Sequence, residues 1–264
     1  MAYQTGALSY RGSFKSIRNY QNANDPIIYA GEKGGASGDE IKNNPVFVRT
    51  RGNMSEFKGC GVVVKAIRRG LYHLIPEHTD THFTSRLMTL IKKINVRDLE
   101  GERGKREIRI SQNRTILKTL KLHEKRKIDF QLKRCISNSH PESRAEATIT
   151  VNGFNPDHTL VPRNAEYYRV QNHISKISDF AYSESVLGYA PLSPLRTKSA
   201  FAYSDYIPVN TPLSVALKAA FPEGTVLTES DTVLQCVGIE FYIRSGADGY
   251  VPYSTGSMIV RDVF

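Results

Sequence analysis

An α+β fold is expected, with an antiparallel, sandwich-like β domain at the C-terminal end and a β-hairpin and helical hairpin before it. Three observations predict it. Apolar residues recur at helical spacing in two stretches between residues 53 and 94, they alternate with polar ones from residue 146 onward, and charge divides between the halves of the chain. Residues 1–134 carry 27 Lys and Arg against 13 Asp and Glu, a charge of +14, while residues 135–264 carry 9 against 13, a charge of −4. The expected organisation is a basic N-terminal module, 1–134, followed by an antiparallel β domain, 135–264. A hydrophobic content of 40% with 23% charged residues suits a folded chain of 264 residues and argues against global disorder.

The first 45 residues read as short strands. Phe14 and Ile17 precede Tyr20, Asn24-Asp25-Pro26 makes a turn, and Ile27-Ile28-Tyr29 returns. Gly31 to Gly38 reads as a flexible loop. Asn53-Met-Ser-Glu56 has the form of a capping box. After it Phe57, Cys60, Val63, Val64, Ile67 and Leu71 line one face of a helix running to about Tyr72, and Lys58, Lys65, Arg68 and Arg69 take the other positions. Pro76 breaks this pattern. A second helix is expected after Asp80 as N-cap, with Phe83, Leu87, Leu90, Ile91 and Ile94 as its apolar stripe.

Residues 96–107 read as a polar loop, and Arg114 to Arg134 fits helix and strand equally well. Ala147, Ile149 and Val151 alternate before a turn at Asn152-Gly153. The clearest strand is Val233 to Arg244, with Val237, Ile239, Phe241 and Ile243 on one face. Ser245–Gly249 makes a tight turn into Tyr250, and Ser257 to Phe264 reads as a last strand.

The segments Gly12-Ser-Phe, Lys33-Gly-Gly35, Lys42-Asn-Asn-Pro-Val-Phe47 and Arg49-Thr-Arg-Gly-Asn-Met-Ser-Glu-Phe57 resemble a family of functionally uncharacterised bacterial proteins. Ala147-Thr-Ile-Thr-Val151, Phe154-Asn-Pro156 and Gly238-Ile-Glu-Phe-Tyr242 are similar to the same family. These motifs are structural in character, so the resemblance implies no catalytic or binding residue.

The motifs of enzyme chemistry are missing. His78-Thr-Asp-Thr-His82 has two histidines four apart, but Thr79 stands where a zinc peptidase helix needs glutamate, and Pro76 places His78 before the helix. Gly31–Gly38 and Gly101–Arg106 lack the Gly-Lys-Ser/Thr ending of a phosphate loop. Gly59-Cys-Gly61 has Val64 in place of the third glycine of a dinucleotide fingerprint. There is no Gly-x-Ser-x-Gly elbow, and Asp39-Glu40 and Glu100 with Glu102 fall in polar loops. Cys60, Cys135 and Cys236 are widely separated and read as reduced thiols. No cofactor, metal or catalytic residue is expected. The N-terminus has neither a basic stretch nor an apolar one of the kind that directs export, and no membrane span is evident, so the expected location is cytoplasmic.

One segment carries weight as a contact surface for an anion or a partner. Arg103, Lys105, Arg106, Arg109, Arg114, Lys118, Lys121, Lys125, Arg126, Lys127, Lys133 and Arg134 lie within 32 residues. Phe130 is the one aromatic in that span, so stacking on single-stranded bases is poorly supported there. The C-terminal tyrosines, Tyr203, Tyr206, Tyr242 and Tyr250 among them, read mainly as half-buried sheet packing, with sugar stacking as the functional alternative. The expected function is a non-enzymatic structural or scaffold protein that associates with copies of itself. The alternative is a nucleic-acid-binding or packaging protein that uses residues 103–134.

Overall fold

The computed structural model describes residues 2–3, 10–23, 25–125, 130–157, 160–193, 198–246 and 249–264. The architecture is α+β. The chain divides into two compact units, Met1–Arg51 and Gly52–Phe264, so the division falls well before the one that composition suggests at 134/135. The reason is packing: the two predicted helices share a hydrophobic core with the C-terminal strands, and a change in charge along the chain does not mark a change of core.

The first unit holds an antiparallel sheet of β1 (Ala2–Tyr3), β2 (Gly12–Phe14), β3 (Ile17–Gln21) and β4 (Ile28–Glu32), in the order β1-β4-β3-β2. The expected hairpin is β3 paired with β4. Asp25 holds its turn, accepting from the Ile27 N–H at 2.9 Å and from the Tyr29 hydroxyl at 2.7 Å. Gly31 belongs to β4 and not to a loop. Helix α1 (Gly38–Asn43) starts under a capping box of Ser37 and Glu40. The anticipated box at Asn53–Glu56 is not a helix start, because α2 (Val48–Gly70) begins five residues earlier, after a 3-10 turn at Pro45–Phe47.

The second unit is layered. Its helical side carries α2, α3 (Ile75–His78), α4 (Phe83–Asn95) and the short α5 (Arg114–Lys118). Another short helix, α6 (Phe130–Cys135), leads into β5 (Ile136–Ser139). The expected N-cap Asp80 sits two residues before the His82 cap position. It still steadies the first turn of α4, accepting from the His82 N–H at 2.9 Å and pairing with Arg86 at 3.0 Å. The ambiguous stretch 114–134 contains α5 and most of α6. These helices are too short to show a period.

The main sheet contains β7 (Tyr167–Ser178), β10 (Ser199–Tyr203), β13 (Asp231–Ser245) and β14 (Gly249–Val263), in the order β10-β7-β13-β14, with β11 (Ile207–Pro208) also on β7. The second sheet is β12 (Leu213–Ala220), β6 (Glu146–Phe154) and β5. A hairpin of β8 (Phe180–Ser183) and β9 (Gly188–Pro191) joins the helical side through a bridge from Phe180 to Ile108.

The faces of β13 sort the core. Val237, Ile239 and Phe241 meet Ile149, Val151, Phe154 and Leu217 of the second sheet. Leu234 and Cys236 point the other way and meet Cys60, Val63, Ile67, Leu87 and Ile91 of the helices. Both faces of β7 and β13 are therefore covered, which accounts for burial along nearly their whole length. The turn anticipated at Asn152-Gly153 is a kink inside β6. Gly153 has φ +59° and donates its N–H to Ser214 Oγ at 2.9 Å, where the register with β12 shifts.

Candidate functional site

The basic segment 103–134 is used largely within the chain. Lys105 pairs with Glu184 at 2.7 Å, Arg109 with Glu107 at 2.6 Å, Lys118 with Asp262 at 2.9 Å and Lys121 with Glu124 at 2.9 Å. Arg103 donates to Asn53 Oδ1 from both Nε and Nη2. Arg106 lies 3.9 Å from Glu56. Arg114 is half-buried, and burial followed by the charge of Arg144 lowers its pKa. Lys125, Lys133 and Arg134 are exposed, while Arg126 and Lys127 lie outside the described residues.

Glu56 explains part of this arrangement. It is buried, accepts from Lys92 Nζ at 2.5 Å and from the Gly104 N–H at 2.9 Å, and so ties the 101–106 loop to α2 and α4. Burial would raise its pKa, but the bonds from Lys92 and Gly104 outweigh it and hold the carboxyl below its ordinary value. The Gly52 and Gly104 backbones meet here: a Cβ on Gly104 would stand 3.0 Å from Gly52 Cα, and Gly104 has φ +99°.

A second buried polar group lies where α3 meets the main sheet. Because β7 and β13 are in register, Arg169 faces Glu240 and Gln171 faces Gly238 on the helical side. His78, at the end of α3, places Nε2 3.1 Å from Glu240 Oε1 and 2.9 Å from the Gln171 side-chain nitrogen. Glu240 Oε2 accepts from Arg169 Nη2 at 3.1 Å and from the Tyr242 hydroxyl at 2.5 Å. Burial alone would raise the Glu240 pKa, but the donors His78, Tyr242 and Arg169 outweigh it and hold the carboxyl at about 2. So low a value keeps Glu240 ionised and makes it a poor general acid or base near neutrality.

The Arg169 guanidinium is the hub of an aromatic ribbon. Its Cζ lies 4.0 Å from the Tyr203 ring centre, 5.2 Å from Tyr206 and 5.3 Å from Tyr242. Tyr206 stacks on Tyr250 at 3.9 Å, and Tyr250 meets Tyr167 edge-on at 5.1 Å. In the other direction Tyr203 meets Phe201 at 5.3 Å, Phe201 meets His73 at 5.7 Å, and His73 meets Tyr72 at 5.5 Å. Two runs of ring contacts, Tyr72 to Tyr203 and Tyr206 to Tyr167, thus meet across the Arg169 guanidinium. The sequence shows these tyrosines but gives no sign that they line up, because they come from four separated segments.

The ribbon begins where the outer face of α2 ends. At 100° per residue, the exposed positions of α2 from Met54 onward, Met54, Phe57, Lys58, Val62, Lys65, Arg68 and Arg69, fall within about 140° of arc, and Tyr72 follows in the turn after the helix. Glu56, the one acid in α2, points into the core. Among the described residues, no carboxylate pairs with Lys58, Lys65, Arg68 or Arg69. Arg103 borders this face through Asn53.

Among the described residues there is no group of three or more His, Cys, Asp or Glu placed to hold a metal ion. His82 is exposed, apart from the buried His78. Burial, with a smaller contribution from His73, lowers His173 to about 4, and burial raises Cys60 to about 11 and Cys236 to about 12, so neither thiol is an activated nucleophile. A pocket of about 270 Å³ gathers Asp98, Glu100, Glu107, Arg97 and Arg109. Its Asp98 is engaged by the N–H groups of Glu100, Gly101 and Glu107, and its Glu107 by Arg109. No helix among the described residues is long and apolar enough to cross a membrane. No family model, curated protein or solved structure matches the chain.

Proposed function

We propose that this chain is a non-enzymatic structural protein that assembles with copies of itself. The observation that carries the reading is the first unit's sheet, which has no hydrophobic core among its described residues. Among the described residues its one buried residue is Asn19, whose side-chain amide has no hydrogen-bond partner there. Phe14, Ile17, Ile27, Val46 and Val48 are exposed, Phe14 by 62%. A small sheet that buries so little apolar area does not offset the conformational entropy lost in ordering it. A second copy that covers this sheet would supply the missing burial.

The alternative of nucleic-acid packaging by residues 103–134 finds less support, since most of the described cations there are held by the chain's own polar groups.

The test is sedimentation velocity over a range of concentrations, on the full chain and on a Phe14→Ser/Ile17→Ser variant, with negative-stain imaging of the same samples. Oligomers that dissociate in the variant are expected. A wild-type chain that stays monomeric at every concentration refutes the proposal, as does a variant that assembles as the wild type does.

A further inference from the structure

We infer that the outer face of α2, continued by the aromatic ribbon, is a binding track for single-stranded nucleic acid. Lys58, Lys65, Arg68 and Arg69 stand on one helical face with no pairing carboxylate among the described residues, in a chain of net charge +10. Such a row repels itself, and an anionic strand laid along it relieves the repulsion and releases counterions. From Lys58 to Arg69 the helix rises about 16 Å, close to the length of about five nucleotides at 3.4 Å each.

Exposed rings flank the cations. Phe57 is 58% exposed and Tyr72 68%, and beyond Tyr72 the ribbon presents Phe201 at 46% and Tyr203 at 37%. Cations that follow a backbone beside rings that accept unpaired bases are the physical requirements of single-strand binding. A duplex keeps its bases stacked on each other and has no use for the rings. A neutral glycan uses the rings and has no use for the cations. This site touches the 103–134 segment only at Arg103, the described cations of that segment mostly already have partners, and the site does not depend on self-association.

The test is fluorescence anisotropy of the full chain with a labelled oligothymidine, across a salt series. A duplex of the same length, and heparin as competitor, are the other arms. The expected result is an affinity for the single strand that falls steeply with salt and exceeds that for the duplex. Lys65→Glu/Arg69→Glu is expected to weaken it at least tenfold and Tyr72→Ala about fivefold or more. Lys133→Glu, in the other basic segment, is expected to change it less than twofold. All four substitutions are at exposed positions, and circular dichroism confirms that each variant is folded. The inference is overturned by an absence of binding at low salt, by equal affinity for duplex, or by an equal loss in Lys133→Glu. Heparin competition with no effect of Tyr72→Ala also overturns it, since that marks a plain polyanion surface.

Discussion

Replacing Glu240 with Gln keeps the shape of the side chain and removes its charge from between His78, Arg169 and Tyr242. The carboxyl is held at about 2 against an ordinary 4.5. A gap of that size corresponds to about 3 kcal/mol of folding stability at neutral pH. The sign follows from the depressed value: this stability is fully present above the ordinary carboxylate pKa and is lost as pH falls through about 2. The side chain of Glu240 is 17% exposed and that of Arg169 20%, so solvent screening removes little of the effect. Glu240→Gln is therefore expected to destabilise the protein by about 3 kcal/mol at pH 7, leaving Arg169 without its counter-charge. The difference from wild type should shrink by about 2 kcal/mol at pH 3, where the wild-type carboxylate has lost much of its advantage. Urea unfolding followed by circular dichroism at both pH values measures it. A difference that is the same at the two pH values, or below about 0.5 kcal/mol at pH 7, refutes the assignment of this network as a stabilising one.

Two further outcomes follow from packing. A Cβ on Gly59 would stand 2.3 Å from the Tyr189 ring, whose hydroxyl is tied to the Arg106 carbonyl at 2.8 Å. Gly59→Ala is therefore expected to lower stability by about 1–3 kcal/mol despite alanine's better helix propensity, and a thermal melt that rises instead would refute the contact. Cys60 and Cys236 are buried with raised pKa values, whereas Cys135 is partly exposed. An aromatic disulfide reagent at mildly alkaline pH should label Cys135 alone in the native protein and all three thiols in denaturant, and fast native labelling of Cys60 would contradict the burial.

The amino-acid sequence alone determined the elements whose period is long and regular. Helix α2, helix α4 and the strands β6 and β13 appear close to where the apolar patterns place them, since those patterns are the faces that the core covers, while β14 begins eight residues before the expected Ser257. Local chemistry with more than one use was not legible. Glu56 has the spacing of a capping residue but lies inside the helix and holds Lys92 and Gly104. Asn152-Gly153 reads as a turn but is a kink inside β6.

The candidate site was half legible. The sequence puts Lys58, Lys65, Arg68 and Arg69 on the polar side of a helix, yet it gives the greater weight to the denser run at 103–134. Only the tertiary structure shows which of these cations are already paired, because pairing depends on which carboxylates fold back onto which cations. Glu184 and Asp262, far along the chain, neutralise Lys105 and Lys118, and nothing among the described residues does so for the α2 row. The aromatic ribbon has the same origin. Residues 72, 169, 203 and 250 become neighbours only through the strand order of the main sheet and the helix end packed beside it. Periodicity reports what each segment buries, whereas partners distant in sequence are set by the fold as a whole.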